Sequence, residues 1–462
     1  MIKSVIGSLL LLLSIESTSQ TIKFETKFSE PFAVFQFMNS LSVKSPDNVY
    51  KKRFSTSVFA GKTYTDLIAQ FDSLNLDYSY DFADYPAGQK VGIDVPNLLR
   101  RNLILCDSLH DFKIRSMGLL PNEKLIHLTE LIKQFTPVYD AVIYEPCKFR
   151  FEQQLQGVAD LIKSTNINYY FSEALQFYNT SWDYSIPFVF CFYPLPDSRG
   201  FTATAVSNVA ISAVADSLDN YKALLSVMLH EVSHVLYDER SLLLWDQMDR
   251  WFGSNRSKTN QYANSLFNEA IATAVANGFL AAQLNGKEDT TRRWYGVKYI
   301  NMMAKTAYPI VKEYLISRKP IDKDFVNRYI QLFEDHYAAW LYDPRYVMRG
   351  RLFLSDNPAD FDVVSRIYEP APGDANEKEI SEATLKKMKA NHGTKVIVVN
   401  NNNVDKLKWI KNSFEELNTW HYDAKIDFAY DKFLEDNTWI IILNNVREST
   451  EEKLKSLTIR DY

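Results

Sequence analysis

The sequence predicts an α+β chain, mostly helical, with a helical N-terminal region, a central domain in which strands precede buried helices, and a small α/β C-terminal domain. Three observations predict this. Apolar residues recur at helical spacing, as in Leu125, Ile126, Leu128, Leu131 and Ile132. Two strand-like runs, 187–194 and 202–214, break that pattern in mid-chain. After Pro370-Ala371-Pro372-Gly373, helical segments alternate with continuous apolar runs of the kind that buried parallel strands show. At 462 residues the chain also exceeds what one hydrophobic core usually organises. The divisions that follow are 21–154, 155–355 and 375–462, after a leader at 1–20.

That leader has Lys3, a mostly apolar run at 5–15 and the small residues Ser17-Thr18-Ser19, the pattern of a cleavable secretory signal. The run is shorter than the roughly 20 residues a bilayer span needs. No later segment is a long unbroken apolar run, so the expectation is a secreted or periplasmic protein without a membrane span in the mature chain. A net charge of −5, with no concentrated Lys/Arg face, argues against a nucleic-acid partner. Cys106, Cys147 and Cys191 are odd in number and lack CxxC spacing. An exported location permits one disulfide, but buried free thiols are the preferred reading.

In the N-terminal region, Pro46-Asp47-Asn48 and Pro86-Ala87-Gly88 read as turns, and 95–112 and 123–135 as helices. His110 and His127 have no acidic partner at metal-binding spacing and read as packing or surface residues. From Ile186 the pattern changes. The run 187–194 is an aromatic strand bounded by prolines, and 202–214 reads as one further strand. Its position just before the helix described next would let it line a cleft and pair with an extended peptide. Asp216, Ser217, Asp219 and Asn220 offer N-capping chemistry for that helix.

The helix, 221–240, carries His230-Glu231-x-x-His234 in an apolar setting of Leu224, Leu225, Val227, Met228, Leu229, Val232, Val235 and Leu236. Side chains four apart on a helix share a face, so both imidazoles can converge on one ion, with Glu231 beside them as a base for water. This is the donor geometry of a catalytic zinc, which needs three protein ligands and an open fourth position. With 7 His and 57 acidic residues in 462, chance would produce the motif in about one such chain in a hundred. Histidines satisfied by hydrogen bonds in a core are the alternative, but burying two of them with a glutamate is costly without a metal.

The third ligand is sought downstream. Residues 261–283 form a nearly uncharged helix ended by Asn285-Gly286, and Glu269 is its only ionised side chain. A metal ligand explains that glutamate better than a solvated surface position does. Asp238, one further turn along the face of His230 and His234, is the rival. Helices at 292–317 and 325–340 follow. Beyond the proline-rich linker come helix 380–389, strand 395–400, helix 404–417 and strand 439–443. The turn at 400–403 lacks the glycines of a phosphate-binding loop, which argues against nucleotide binding.

His230-Glu231-x-x-His234, with Asn268-Glu269 on a later helix, resembles the gluzincin clan of zinc metallopeptidases, over about 202–314. The resemblance implies a zincin-like catalytic domain at 155–355, zinc as cofactor and Glu269 as third ligand. It further implies an oxyanion-stabilising Tyr or His from downstream, for which Tyr308, Tyr314 and His336 are the candidates. The metzincin alternative would need Gly and His where Tyr237 and Arg240 stand. Thr273 occupies the place where thermolysin-like members often carry an Asp that orients a metal histidine. The function expected is hydrolysis of peptide or protein substrates with Glu231 as general base. An inactive secreted binding protein on the same scaffold, or hydrolysis of a non-peptide amide, stays open.

Overall fold

In the computed structural model, residues 21–78, 95–371 and 373–460 are described. The leader expected at 1–20 and the turn expected at Pro86-Ala87-Gly88 lie outside them. The chain is mixed α/β and mostly helical.

After a short strand, β1 (Phe24–Lys27), the N-terminal region builds a helical layer from α1 (Glu30–Leu41), α2 (Val49–Ser55), α3 (Lys62–Ser73), α4 (Val95–Leu105), α5 (Leu109–Arg115) and α6 (Asn122–Tyr139). Side-chain caps set several starts: Ser29 accepts from the Phe32 N–H and Asn48 from the Lys51 N–H. The helix expected at 95–112 is two, because Ser108 caps a new one by accepting from the Asp111 N–H. A π-helical turn, Asp140–Tyr144, joins α6 to α7 (Glu145–Ser164), and α8 (Ile167–Tyr178) follows. Pro137, inside α6, removes one N–H from the ladder just before that turn.

The first sheet comprises β1, β2 (Phe188–Leu195), β3 (Phe201–Val206) and β4 (Val209–Ala215) in the order β1-β2-β4-β3. β1, β2 and β4 run parallel, and β3 is an antiparallel edge. The single strand expected at 202–214 is therefore a hairpin, turned at Ser207 with φ 51°. Alternate residues of the central strands enter two different cores. Val189, Cys191, Val209 and Ile211 pack on the N-terminal helices. Phe188, Phe190, Phe192, Ala210 and Val214 face the opposite helices. Burial on both faces explains why the run at 187–194 shows no polar alternation.

The second helical layer contains α9 (Tyr221–Asp238), α10 (Leu242–Gly253), α11 (Asn260–Ala272), α12 (Ala281–Asn285), α13 (Lys298–Ile316), α14 (Lys323–Tyr337) and α15 (Pro344–Val347). A π-helical segment, Thr273–Leu280, joins α11 to α12, and Gly286 at φ 72° ends the run as the sequence predicts.

The C-terminal unit starts earlier than the sequence suggests. β5 (Leu352–Ser355), assigned from sequence to the central domain, lies inside a second sheet with β6 (Ala375–Glu377), β7 (Lys395–Val399), β8 (Phe428–Phe433) and β9 (Trp439–Asn444), ordered β6-β5-β7-β9-β8. β8 is an antiparallel edge and the others are parallel. α16 (Ala359–Ile367), α17 (Glu382–Lys389), α18 (Asn403–Ser413) and α19 (Thr450–Lys455) cover the two faces. The linker expected near 370 falls in the chain between β5 and β6, which pair in this sheet. Its end is held by a buried ion pair, Arg351 Nη1 to Asp374 Oδ2 at 3.0 Å.

This sheet is tied to α11. The Tyr262 hydroxyl meets Thr394 Oγ1 at 2.8 Å and accepts from the Trp439 N–H at 3.0 Å, all buried. Tyr262→Phe is expected to cost about 1–3 kcal/mol, chiefly by leaving the buried Trp439 N–H unpaired, because Thr394 Oγ1 keeps its bond to the Val347 carbonyl. Chemical denaturation measures it, and an unchanged midpoint would mean the tie carries no stability. Cys106, Cys147 and Cys191 are buried free thiols, as preferred from sequence. Burial pushes the Cys147 thiol up to about 11. Among the described residues no helix is long and apolar enough to cross a membrane.

Candidate metal centre

Asn220 starts α9 by accepting from the Ala223 N–H, and the helix is driven into the core by Leu224, Leu225, Met228, Val232 and Leu236. That places His230 and His234 on the face turned toward α11. Their Nε2 atoms lie 2.9 Å apart, with the rings nearly perpendicular at 89°. Glu269 Oε2, from α11, is 3.5 Å from His230 Nε2 and 3.6 Å from His234 Nε2. Ligand atoms held about 2 Å from one tetrahedral ion lie about 3.3 Å from each other, and these three separations bracket that value. Among the described residues this is the one grouping of three such side chains close enough to share an ion.

The surroundings orient the donors. Asn268 Oδ1 accepts from His234 Nδ1 at 2.9 Å, so the neutral ring turns its Nε2 lone pair toward the cluster. The sequence left open what replaces the missing Asp at 273, and the neighbour preceding Glu269 supplies the answer for His234. Thr273 is fully buried, and its Oγ1 forms no hydrogen bond. Glu269 Oε2 is also buried without a well-directed hydrogen bond, although it faces both imidazoles. An orphaned carboxylate oxygen between two imidazole nitrogens is the donor set that suits a divalent ion. His230 is 4% exposed, whereas the His234 and Glu269 side chains are 18% and 20% exposed, so the cluster opens on one side.

Electrostatics follow from this packing. Burial raises the Glu269 carboxyl, but His230 and His234 outweigh it and hold the group well below the usual carboxylate range. Burial disfavours charge on His234, yet Glu269, then Glu231 and Asn268, bring it up to about 9. Glu231 is raised, first by burial and further by Glu269, against the lowering effect of the two histidines.

The raised histidine makes a pH prediction. In the metal-free protein the charged His234 stabilises the fold fully below its ordinary value near 6.5, and this contribution is lost as pH rises through about 9. Any divalent ion bound here must displace that proton. Uptake at pH 7.5 is expected to release about one proton per ion, with affinity rising toward pH 9. Calorimetry in buffers of different ionisation enthalpy reads this, and uptake without proton release would remove His234 from the ligand set.

Tyr295 was not a candidate from sequence, because 292–317 reads as continuous helix. The helix instead begins at Lys298, and the preceding loop brings the Tyr295 ring to 5.6 Å from that of His230. Burial, then Glu269 and Glu231, raise its hydroxyl. The loop is fixed by its neighbour Trp294, whose indole Nε1 donates to Asp289 O at 2.9 Å and whose backbone N–H donates to Asn301 Oδ1 at 2.8 Å. Gly278, in the π-helical segment, lets Trp294 and Tyr308 approach to where a Cβ would meet both at 2.9 Å. An aromatic run just before a helix was the available signal.

The downstream candidates have partners of their own. Tyr314 is 1% exposed, and its hydroxyl donates to Asp322 and Asp324 at 3.1 Å, so it caps a helix junction. Tyr308 packs its ring on Trp294 at 5.2 Å, and Glu288 is the acid that influences its hydroxyl. His336 is exposed on α14 beside Tyr337. Asp238 is exposed at the end of α9, and Glu269 is the carboxylate that meets the histidines. No protein family, curated protein or solved structure matches this chain.

Proposed function

We propose that the chain is a zinc-dependent peptidase of the gluzincin type, with a zincin-like catalytic domain built on the first sheet and α9–α14. The observation that carries this reading is the convergence of His230, His234 and Glu269 on one point, with a solvent-facing side and Glu231 adjoining. A closed structural site would offer four protein ligands.

His230 Nε2, His234 Nε2 and Glu269 Oε2 would hold the ion. When bound, zinc supplies a Lewis acid that polarises a carbonyl and acidifies water. Glu231, raised by burial, takes the proton of the attacking water and passes it to the departing amine. Tyr295 offers its hydroxyl to the oxyanion that forms on the carbonyl carbon, where a neutral donor beside two carboxylates keeps its proton. Asn268 holds His234 in the tautomer that presents Nε2.

Purified protein is expected to carry one zinc per chain and to cleave a mixed peptide library, with cleavage lost to a chelator and restored by zinc. Bound zinc without turnover on any peptide would sink the reading in favour of a binding protein. Tyr295→Phe is expected to lower kcat about 10²-fold with little change in KM, because the donor acts mainly as charge develops. An equal change confined to KM would instead make Tyr295 a binding residue.

A further inference from the structure

A cavity of about 290 Å³ adjoins the cluster, its lining including Phe201, Val227, Arg292, Arg293, Trp294 and Tyr295. Its walls come from the elements that carry the metal donors. Ser226 and Val227 sit one turn before His230 on α9, and Asn277 lies in the π-helical segment that continues α11 beyond Glu269. Tyr295 belongs to both, with one side against His230 and another on the cavity.

The lining residues include two arginines and no acidic residue. Arg292 Nη2 donates to Asn277 O at 3.2 Å, and Arg293 Nε donates to Tyr295 O at 2.9 Å. These bonds anchor the two side chains and use one of the five N–H donors that each possesses. The neighbouring Asp289 accepts at Oδ1 from the Thr291 hydroxyl and from the Thr291 and Arg292 N–H groups, and these bonds, helped by the Arg292 charge, hold its carboxyl low. Arg292 is thus partly compensated, whereas Arg293 has no such acidic neighbour among the described residues. Apolar surface from Phe201, Val227 and Trp294 completes the walls, so the cavity fits a group with an aliphatic stem and an anionic head. Phe201 opens β3, the edge of the sheet beside α9. An extended peptide added to that edge would present side chains toward the cavity at alternate positions.

Building on the peptidase reading, we propose that this cavity is a specificity pocket that recognises a carboxylate of the substrate peptide through Arg292 and Arg293. That carboxylate is either an acidic side chain near the scissile bond or the C-terminus of the peptide.

Fluorogenic peptides matched as Glu against Gln at each position, and as free acid against amide, distinguish the two sources. The wild-type enzyme is expected to prefer one carboxylate form by at least tenfold in kcat/KM, and the preference should shrink as salt is raised. In Arg292→Gln/Arg293→Gln the ratio is expected to fall near one, with zinc content unchanged as evidence of an intact fold. Cleavage of charged and neutral peptides at equal rates by the wild type overturns the pocket while leaving the peptidase standing. If no peptide is cleaved, the same pairs are titrated into zinc-loaded Glu231→Gln. Tighter binding of the carboxylate form then supports the pocket without the peptidase, and equal binding overturns it.

Discussion

Replacing Glu231 by Gln is expected to lower kcat for peptide cleavage by about 10³- to 10⁴-fold while leaving zinc content and helical circular dichroism unchanged. Three features of the site set this size. The side chain is isosteric, so packing along α9 is preserved. Gln cannot accept the proton of the attacking water, and no other carboxylate in the cluster is free to do so, because Glu269 is held below the carboxylate range by the two histidines. Burial raises Glu231 in the metal-free protein, which makes it the stronger base of the two. Within the proposed mechanism the acid limb of the kcat/KM profile reports a group ionising near Glu231, and that limb should disappear in the variant's residual activity. Turnover within tenfold of wild type, at equal zinc content, would show that Glu231 is not the base.

The cluster proposed to hold the metal was legible because its chemistry is local. Two histidines one turn apart on an apolar helix are a pattern that burial alone makes expensive, and a lone glutamate on an otherwise uncharged helix is equally conspicuous. Asn268 was visible beside Glu269, but its role depends on the distance between α9 and α11, which sequence does not encode. Tyr295 was missed for the opposite reason. The residues at 292–297 carry no helix-breaking signal strong enough to separate them from α13, and the loop owes its shape to tertiary partners, Asn301, Asp289 and the space above Gly278. Tyr308 and Tyr314 were candidates by their position along the chain, and a buried tyrosine hydroxyl finds whichever partner packing supplies. At the level of the fold, the buried runs at 395–399 and 439–444 announced their sheet. β5 was too short to stand out, and the stretch 370–373 read as a linker because proline and glycine punctuate turns inside a domain as readily as between domains.

Glu269→Ala is expected to abolish zinc retention through gel filtration. The loss in affinity should exceed the ten- to hundredfold that Asn268→Ala, which removes only the partner of His234, is expected to cause. The ordering follows from distance. Glu269 Oε2 lies within 3.6 Å of both imidazole nitrogens and is the only carboxylate among the described residues to do so, whereas Asn268 acts through the far side of one ring. Asp238→Ala, at the exposed end of α9, should leave the zinc dissociation constant unchanged. In metal-free protein, the first of these variants should also bring His234 down from about 9, because Glu269 is its principal source of stabilisation as a cation and burial then acts with less opposition. Histidine titration by NMR reads that shift without zinc, so the donor geometry is tested separately from metal identity. Equal zinc affinity in wild type and Glu269→Ala, or loss of zinc in Asp238→Ala alone, would relocate the third ligand to α9 and remove the reason for α11 to approach it.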